Sequence, residues 1–342
     1  MKKKLFALLS LVLAMSLLLC ACASSPAAGG KDQNDSKNDS KNDAASTDTD
    51  TVAVGAVVIA RDDVPEDEIY AFVSSIFENT DAIAKQHGKG EELDLDFAAG
   101  VTSVPYHPGA AKYFSEKGYT VDVKAGAGTG SAGNLTFGTG GDTGTYYAFG
   151  SILANFVSNN SDFTVTAVTS NGSQSNVEDM MAGDVQIGFV QSDVMSYAYN
   201  GERLFEAPVT GFSVVAALYM EQVQIVTTNS SIASVADLKG KTVSVGAAGS
   251  GVYYNAIDVL DAYGITLEDI SPVYQSFGDS AESLKDKKID AAFIVAGVPT
   301  PAITDLASGG SVYLVSLDSA HVSSLLSASP FYSAYTIPAG TY

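Results

Sequence analysis

LTFGTGGDTGTYYAFG, residues Leu135 to Gly150, is the stretch on which the fold turns. Leu135 to Phe137 has the pattern of a short buried strand, Gly138 to Gly144 is a glycine-rich loop, and a helix is expected from there through about Phe156. A strand that feeds a helix through such a loop is the repeating unit of layered α/β domains. The unit recurs. Phe163 to Val168 leads into TSNGSQSN (Thr169 to Asn176) and a helix ending near Gly183, and Val185 to Val190 leads into Gln191-Ser192-Asp193. After a short turn, Val235 to Gly240, the strand Thr242 to Val245 runs into GAAGSG (Gly246 to Gly251) and a helix reaching about Tyr263, with further strands at Asp290 to Val295 and Val312 to Leu317. Between the two sets, the apolar runs Val214 to Leu218 and Val223 to Thr227 flank Tyr219-Met220-Glu221-Gln222, read as a crossing between two lobes. Upstream, Thr51 to Ala60 (TVAVGAVVIA) reads as a buried strand, Asp62-Asp63-Val64-Pro65 as a helix start, and His107 to Lys117 as a short helix.

The chain has 342 residues with 18 Lys plus Arg against 39 Asp plus Glu, a net charge of −21. Nucleic acid and anionic membrane surfaces are poor partners for it, because both demand clustered cations and the chain's only arginines are Arg61 and Arg203. Cys20 and Cys22 are the only cysteines, so the body of the chain has no disulfide, no thiolate metal cluster and no cysteine nucleophile. Lys2 to Lys4 followed by the apolar run Leu5 to Leu19 form a signal peptide pattern, too short for a bilayer span of ~20 residues. Leu19-Cys20-Ala21-Cys22 resembles the bacterial lipobox, which implies cleavage after residue 21 and lipid attachment at Cys22. Residues 22–50 are polar, repeat Asn-Asp-Ser-Lys, and read as a disordered tether.

Three Gly/Ser/Thr-rich loops, Gly138 to Gly144, Asn171 to Ser175 and Gly246 to Gly251, each stand at the carboxyl end of a strand and the start of a helix. Ligands of open α/β sheets bind there. First-turn N–H groups, the positive end of the helix dipole and hydroxyls together make an anion cradle without any arginine. The alternative is a set of tight connections whose helices are capped by residues such as Thr145 or Ser173. Tyr146 and Tyr147 open one helix and Tyr253 and Tyr254 another; one of each pair is expected in the core and the other toward the cleft. GAGTGSAG (Gly126 to Gly133) meets the dinucleotide spacing but precedes a strand, so it reads as a flexible linker, and Gly240-Lys241-Thr242 copies only the tail of a P-loop. His87, His107 and His321 are scattered and lie outside the loops, leaving no serine–histidine pair, no zinc site and no catalytic constellation. Asp193 is expected to cap a helix.

At these loops the sequence resembles the TAXI family of solute-binding proteins, the extracytoplasmic receptors of TRAP transporters. The matching stretches are Leu135 to Gly150, Asn171 to Asp193, Asp237 to Gly251, Ile289 to Ile303 and IPAGTY, Ile337 to Tyr342. In that family the segments resembling residues 51–79 and 104–118 follow the IPAGTY stretch, whereas here they precede everything else, so the order looks like a circular permutation. Residues 121–133 would join the family's usual ends, and Thr51 and Tyr342 should then lie within ~20 Å. The resemblance implies an α/β, two-lobed type II periplasmic-binding-protein fold. Residues 51–60 would be a strand of lobe II, 61–219 lobe I, and 220–342 lobe II. It further implies a receptor without cofactor, metal or catalysis, anchored by lipid at the bacterial cell surface, that passes a small organic anion, such as a carboxylate or acidic amino acid, to TRAP membrane subunits. Closure would bring Gly249, Ser250, Gly251 and Tyr253 against Thr139, Gly140, Tyr147, Gly172, Ser173, Asn176, Gln191 and Ser192. A two-lobed enzyme acting on a small acid, or a surface adhesin or sensor with a degenerate pocket, are the competing readings.

Overall fold

The computed structural model describes residues 47–131 and 133–342. The expected signal peptide, the lipidation site Cys22 and most of the expected tether lie outside the described residues. The tether's expected end is corrected by the structure, since Thr49 and Asp50 already belong to a strand.

Among the described residues, ten strands form one curled mixed sheet: β1 Thr49–Arg61, β2 Leu135–Gly138, β3 Val165–Val168, β4 Ile187–Gln191, β5 Phe212–Thr227, β6 Thr242–Ser244, β7 Ser271–Val273, β8 Ala291–Ala296, β9 Tyr313–Leu314 and β10 Ser333–Ile337. Their order is β3-β2-β4-β1-β5-β8-β6-β7, with β10 on β1 and β9 on β5. The first three of these are parallel to one another, as are β8, β6 and β7 at the other end. Each parallel set forms the sheet of one lobe, packed on one main buried apolar cluster in lobe I and on two in lobe II.

The antiparallel pair β1 and β5 joins the two lobes, from Ala53 opposite Gln222 to Arg61 opposite Phe212, with register shifts between Ala56 and Val57 and between Val58 and Ile59. On its other edge β1 pairs Thr49 to Ala53 with β10 of lobe II and then Ala56 to Ala60 with β4 of lobe I. The strand expected to belong to lobe II alone is therefore shared by both. Because it is covered on both faces, its sequence is a near-continuous β-branched and alanine run rather than an alternating one. The two runs expected on either side of Tyr219 to Gln222 are likewise a single strand. Val54 pairs with Glu221 and Gly55 with Met220, so the polar segment keeps its backbone in the ladder.

The helix expected at residues 62–65 starts at Glu66, behind Pro65, with Glu66, Asp67 and Glu68 in its first turn. The helix Pro108–Glu116 is capped by the buried His107, whose Nδ1 accepts from Gly109 N at 3.2 Å while Nε2 lies 2.9 Å from Val64 O. The glycine linker packs along the front of this lobe. Gly128 N donates to Asp62 O at 2.8 Å, Glu66 N donates to Gly128 O at 3.2 Å, and Gly133 N donates to Glu68 Oε1 at 2.6 Å. A Cβ on Gly130 would come within 1.7 Å of Asp63 O, so glycine is required there by close packing.

Candidate functional site

Three helices converge on the space between the lobes: Thr145–Asn160 and Ser173–Ala182 from lobe I, and Val252–Ala262 from lobe II. Each is preceded by a glycine, Gly144, Gly172 or Gly251, and none has a side chain bonded to its free N–H groups. Elsewhere the chain does cap helices, as Asp94, Ser276 and Asp318 demonstrate. Thr145 and Ser173 are not caps. Thr145 Oγ1 donates to Gly297 O at 3.0 Å, and Ser173 Oγ accepts from Gln191 N at 3.1 Å. The three ends thus aim first-turn N–H groups that no side chain caps, and the positive ends of their dipoles, into one cavity of about 70 Å3, with Ser175 N engaged by the Gly249 carbonyl. At ~10–15 Å3 per water-sized group, that space holds roughly five to seven of them.

The lobes touch around this cavity. Ser175 N donates to Gly249 O at 3.0 Å, Ala302 N to Thr143 O at 3.1 Å, and Tyr254 Oη to Gln174 Oε1 at 2.9 Å. A buried polar chain adds to the contact. Asn255 Nδ2 donates to Asp193 Oδ2 across the lobes and to Tyr332 Oη, both at 2.9 Å, and Tyr332 donates to Asp258, which is salt-bridged to Arg203. Asp193 follows Gln191 and Ser192 into the helix Ser192–Asn200 and is fully buried; desolvation pushes its carboxyl up to about 6. Gln191, not Asp193, stands at the N-cap, so the expected cap is corrected: Asp193 lies in the first turn and makes this cross-lobe bond instead.

Of the residues expected at the ligand, Gly140, Ser173, Gln191, Ser250 and Gly251 line the cavity. The others stand behind it. Thr139 Oγ1 donates to Val168 O at 2.7 Å, and Asn176 Nδ2 bonds the Thr139 and Phe189 carbonyls at 2.7 and 2.8 Å, tying β2 to β4. Ser192 Oγ accepts from Gly55 N at 3.1 Å, and Gly172 and Gly249 form the rim where the lobes meet. Tyr147 is turned off the wall by one step of helical rotation; Tyr146 takes the place expected for it, stacked on Phe189 with ring centroids 4.5 Å apart. Tyr253 packs beside Tyr274 at 6.1 Å.

The sequence reading missed Glu221, Gln275 and Ser276, which also line the cavity. Glu221 is 2% exposed and accepts from Tyr146 Oη at 2.7 Å. Burial pushes its carboxyl up to about 8, opposed by the Tyr146 bond and by the nearby Lys89 ammonium. Lys89 is itself buried and pairs with Glu92 at 2.5 Å. Among the described residues, Gln191 Oε1, Gln275 Oε1 and Ser250 Oγ are buried at this cavity without a hydrogen-bond partner. Such orphaned groups cost about 1–3 kcal/mol each, a cost that a ligand would remove. The only signal for Glu221 in the sequence was an acid standing in a crossing flanked by fully apolar runs.

A family model described as the NMT1-like family matches residues 37–118 and 137–342. The chain belongs to the NMT1-like family. Solved structures similar to this NMT1-like chain include solute-binding proteins. The periplasmic aliphatic sulphonate binding protein SsuA from Escherichia coli is 20% identical over 54% of this chain and 60% of that one, with a TM-score of 0.35. The alkanesulfonate-binding protein SsuA from Xanthomonas axonopodis pv. citri, bound to MOPS, is 20% identical over 54% and 62%, at 0.38. An ancestral arginine-binding protein bound to glutamine is 16% identical over 55% and 80%, at 0.40. The chain therefore spans about 60% of the length of the sulphonate binders it matches.

Proposed function

We propose that this protein is an extracytoplasmic receptor that captures a small organic anion between its two lobes for a TRAP-type transporter. One observation carries the reading: three helix starts, free of side-chain caps and drawn from both lobes, face a single cavity. An anion there accepts hydrogen bonds from both lobes at once and so favours the closed arrangement over the open one. Gly140, Ser173, Gln191, Ser250 and Gly251 are the proposed contacts from the sequence reading, joined by Tyr146 and Gln275. The TRAP partnership and the lipid anchor at Cys22 rest on the sequence resemblance, as does the circular permutation. One feature supports the permutation: Thr49 pairs with Ile337 and Asp48 Oδ1 accepts from Ala339 N at 2.9 Å, so β1 enters the fold beside residues 337–339.

A thermal-shift screen with mono- and dicarboxylates, 2-oxo acids and amino acids tests the receptor reading. A true ligand at ~100 times its dissociation constant adds about 2.7 kcal/mol of stability without being consumed. Turnover of a hit would make the protein an enzyme, and silence across the whole panel would reject the receptor. Expressed in a bacterial host, the full chain should fractionate with membranes and its Cys22→Ser variant should not; equal release of both would remove the anchor.

A further inference from the structure

The anion reading accounts for the donors of the cavity and leaves its acceptors unused. Glu221 reaches the wall from the middle of β5, where the crossing strands meet the floor of the cleft. Tyr146 donates to its Oε2, and among the described residues no hydrogen bond engages Oε1. Gln191 Oε1 and Gln275 Oε1 are buried at the same cavity without a donor. Polar groups desolvated in this way keep their cost until something donates to them. An ammonium group carries three donors and a positive charge on one small atom, which suits a carboxylate flanked by two amide oxygens. The first-turn N–H groups on the same cavity attract the opposite charge.

Building on the receptor reading, we propose that Glu221 makes the site selective for solutes that carry an ammonium group beside the acid, with deaminated acids rejected because they leave this carboxyl group unpaired in the closed cleft. Binding then has a proton balance. Burial keeps the carboxyl protonated in the empty cavity near neutral pH, with the titratable and charged groups Tyr146, Tyr219, Lys89 and Asp193 around it. Pairing with an ammonium converts it to the carboxylate, and its proton leaves to the buffer.

The test uses matched solutes that differ only in the amine: L-glutamate with glutarate, L-aspartate with succinate, and L-alanine with propionate. Calorimetric titration of the full mature protein should give at least one amino acid roughly 10–100-fold tighter than its deaminated counterpart. Its apparent enthalpy should differ between phosphate and Tris at pH 7 in the sense of proton release. Glu221→Gln keeps the side chain's size and the Tyr146 contact; it should weaken the amino acid by a similar factor, leave the deaminated acid within about threefold and abolish the buffer dependence. Circular dichroism and a cooperative melt confirm that the variant is folded. Wild-type protein that prefers the deaminated partner, or a folded Glu221→Gln variant with undiminished amino-acid affinity, overturns this inference while leaving the anion receptor standing. Failure of all six solutes, together with silence in the wider screen, rejects the receptor and this selectivity with it.

Discussion

Glu221 and His107 are buried ionisable groups with opposite preferences, and together they bracket the pH range in which the empty protein is most stable. Glu221 is raised from 4.5 to about 8, so the folded state holds its proton more tightly than the unfolded chain; the resulting stabilisation is complete below about 4.5 and fades as pH rises through 8. His107 is depressed from 6.5 to about 4 by burial; its contribution is present above 6.5 and is lost as pH falls toward 4. Urea unfolding of the ligand-free protein should therefore lose on the order of 2–3 kcal/mol between pH 6 and pH 8 through Glu221. Glu221→Gln should remove most of that slope while keeping the acid-side loss. Identical slopes for the two proteins would show that another group is responsible. Little at this scale was readable in the sequence. The choice of Tyr146 over Tyr147 depends on the roll of a helix against its sheet, and the burial of Glu221 depends on a second lobe closing over it. Local pattern carries neither.

The strand–loop–helix units were legible because each is a local pattern: a short β-branched run, a glycine loop that admits no bulky side chain, and an amphipathic helix. The convergence of their helix starts was legible too, since strands of a parallel sheet all present their carboxyl ends to one edge. The continuity of β5 was hidden, because four residues with polar or bulky side chains resemble a break when their partner strand lies about 165 positions earlier in the chain. Gly251, at the start of the helix Val252–Ala262, offers a direct test of the closed contact. Its φ of −69° suits any residue, yet a Cβ there would sit 1.7 Å from Gln191 Oε1 and 2.8 Å from Ser173 Oγ across the lobes. Gly251→Ala should leave each lobe folded while holding the cleft apart. Affinity for a confirmed ligand should fall roughly 100-fold or more, and the radius of gyration in solution should stay at the open value when ligand is added. Wild-type affinity in that variant would mean that the solute does not require the lobes to meet here.

At the level of the whole molecule, the two-lobed α/β architecture followed from the repeated units, but the way the lobes share strands did not. β1 was expected to serve one lobe and serves both, and the linker expected to be flexible is bonded to the start of the helix Glu66–Phe77. These are long-range pairings that no window of sequence contains. The proposed permutation makes a prediction of its own: a chain begun at Asn134, with Tyr342 joined to Thr49 through about six residues and ended near Gly118, should fold to the same cooperative unit. Its melting temperature should lie within several degrees of the parent's, lowered mainly by loss of the linker contacts around Asp62 and Glu66. An aggregated or non-cooperative product would count against the rearranged order. The shared strand also bears on assembly. With Thr49 paired to Ile337, β1 waits for β10, about 280 residues later, to be synthesised before its edge can close. Neither half can finish alone, so the nascent polypeptide stays open and threadable until β10 has been made, and once collapsed it should yield as one body rather than as two.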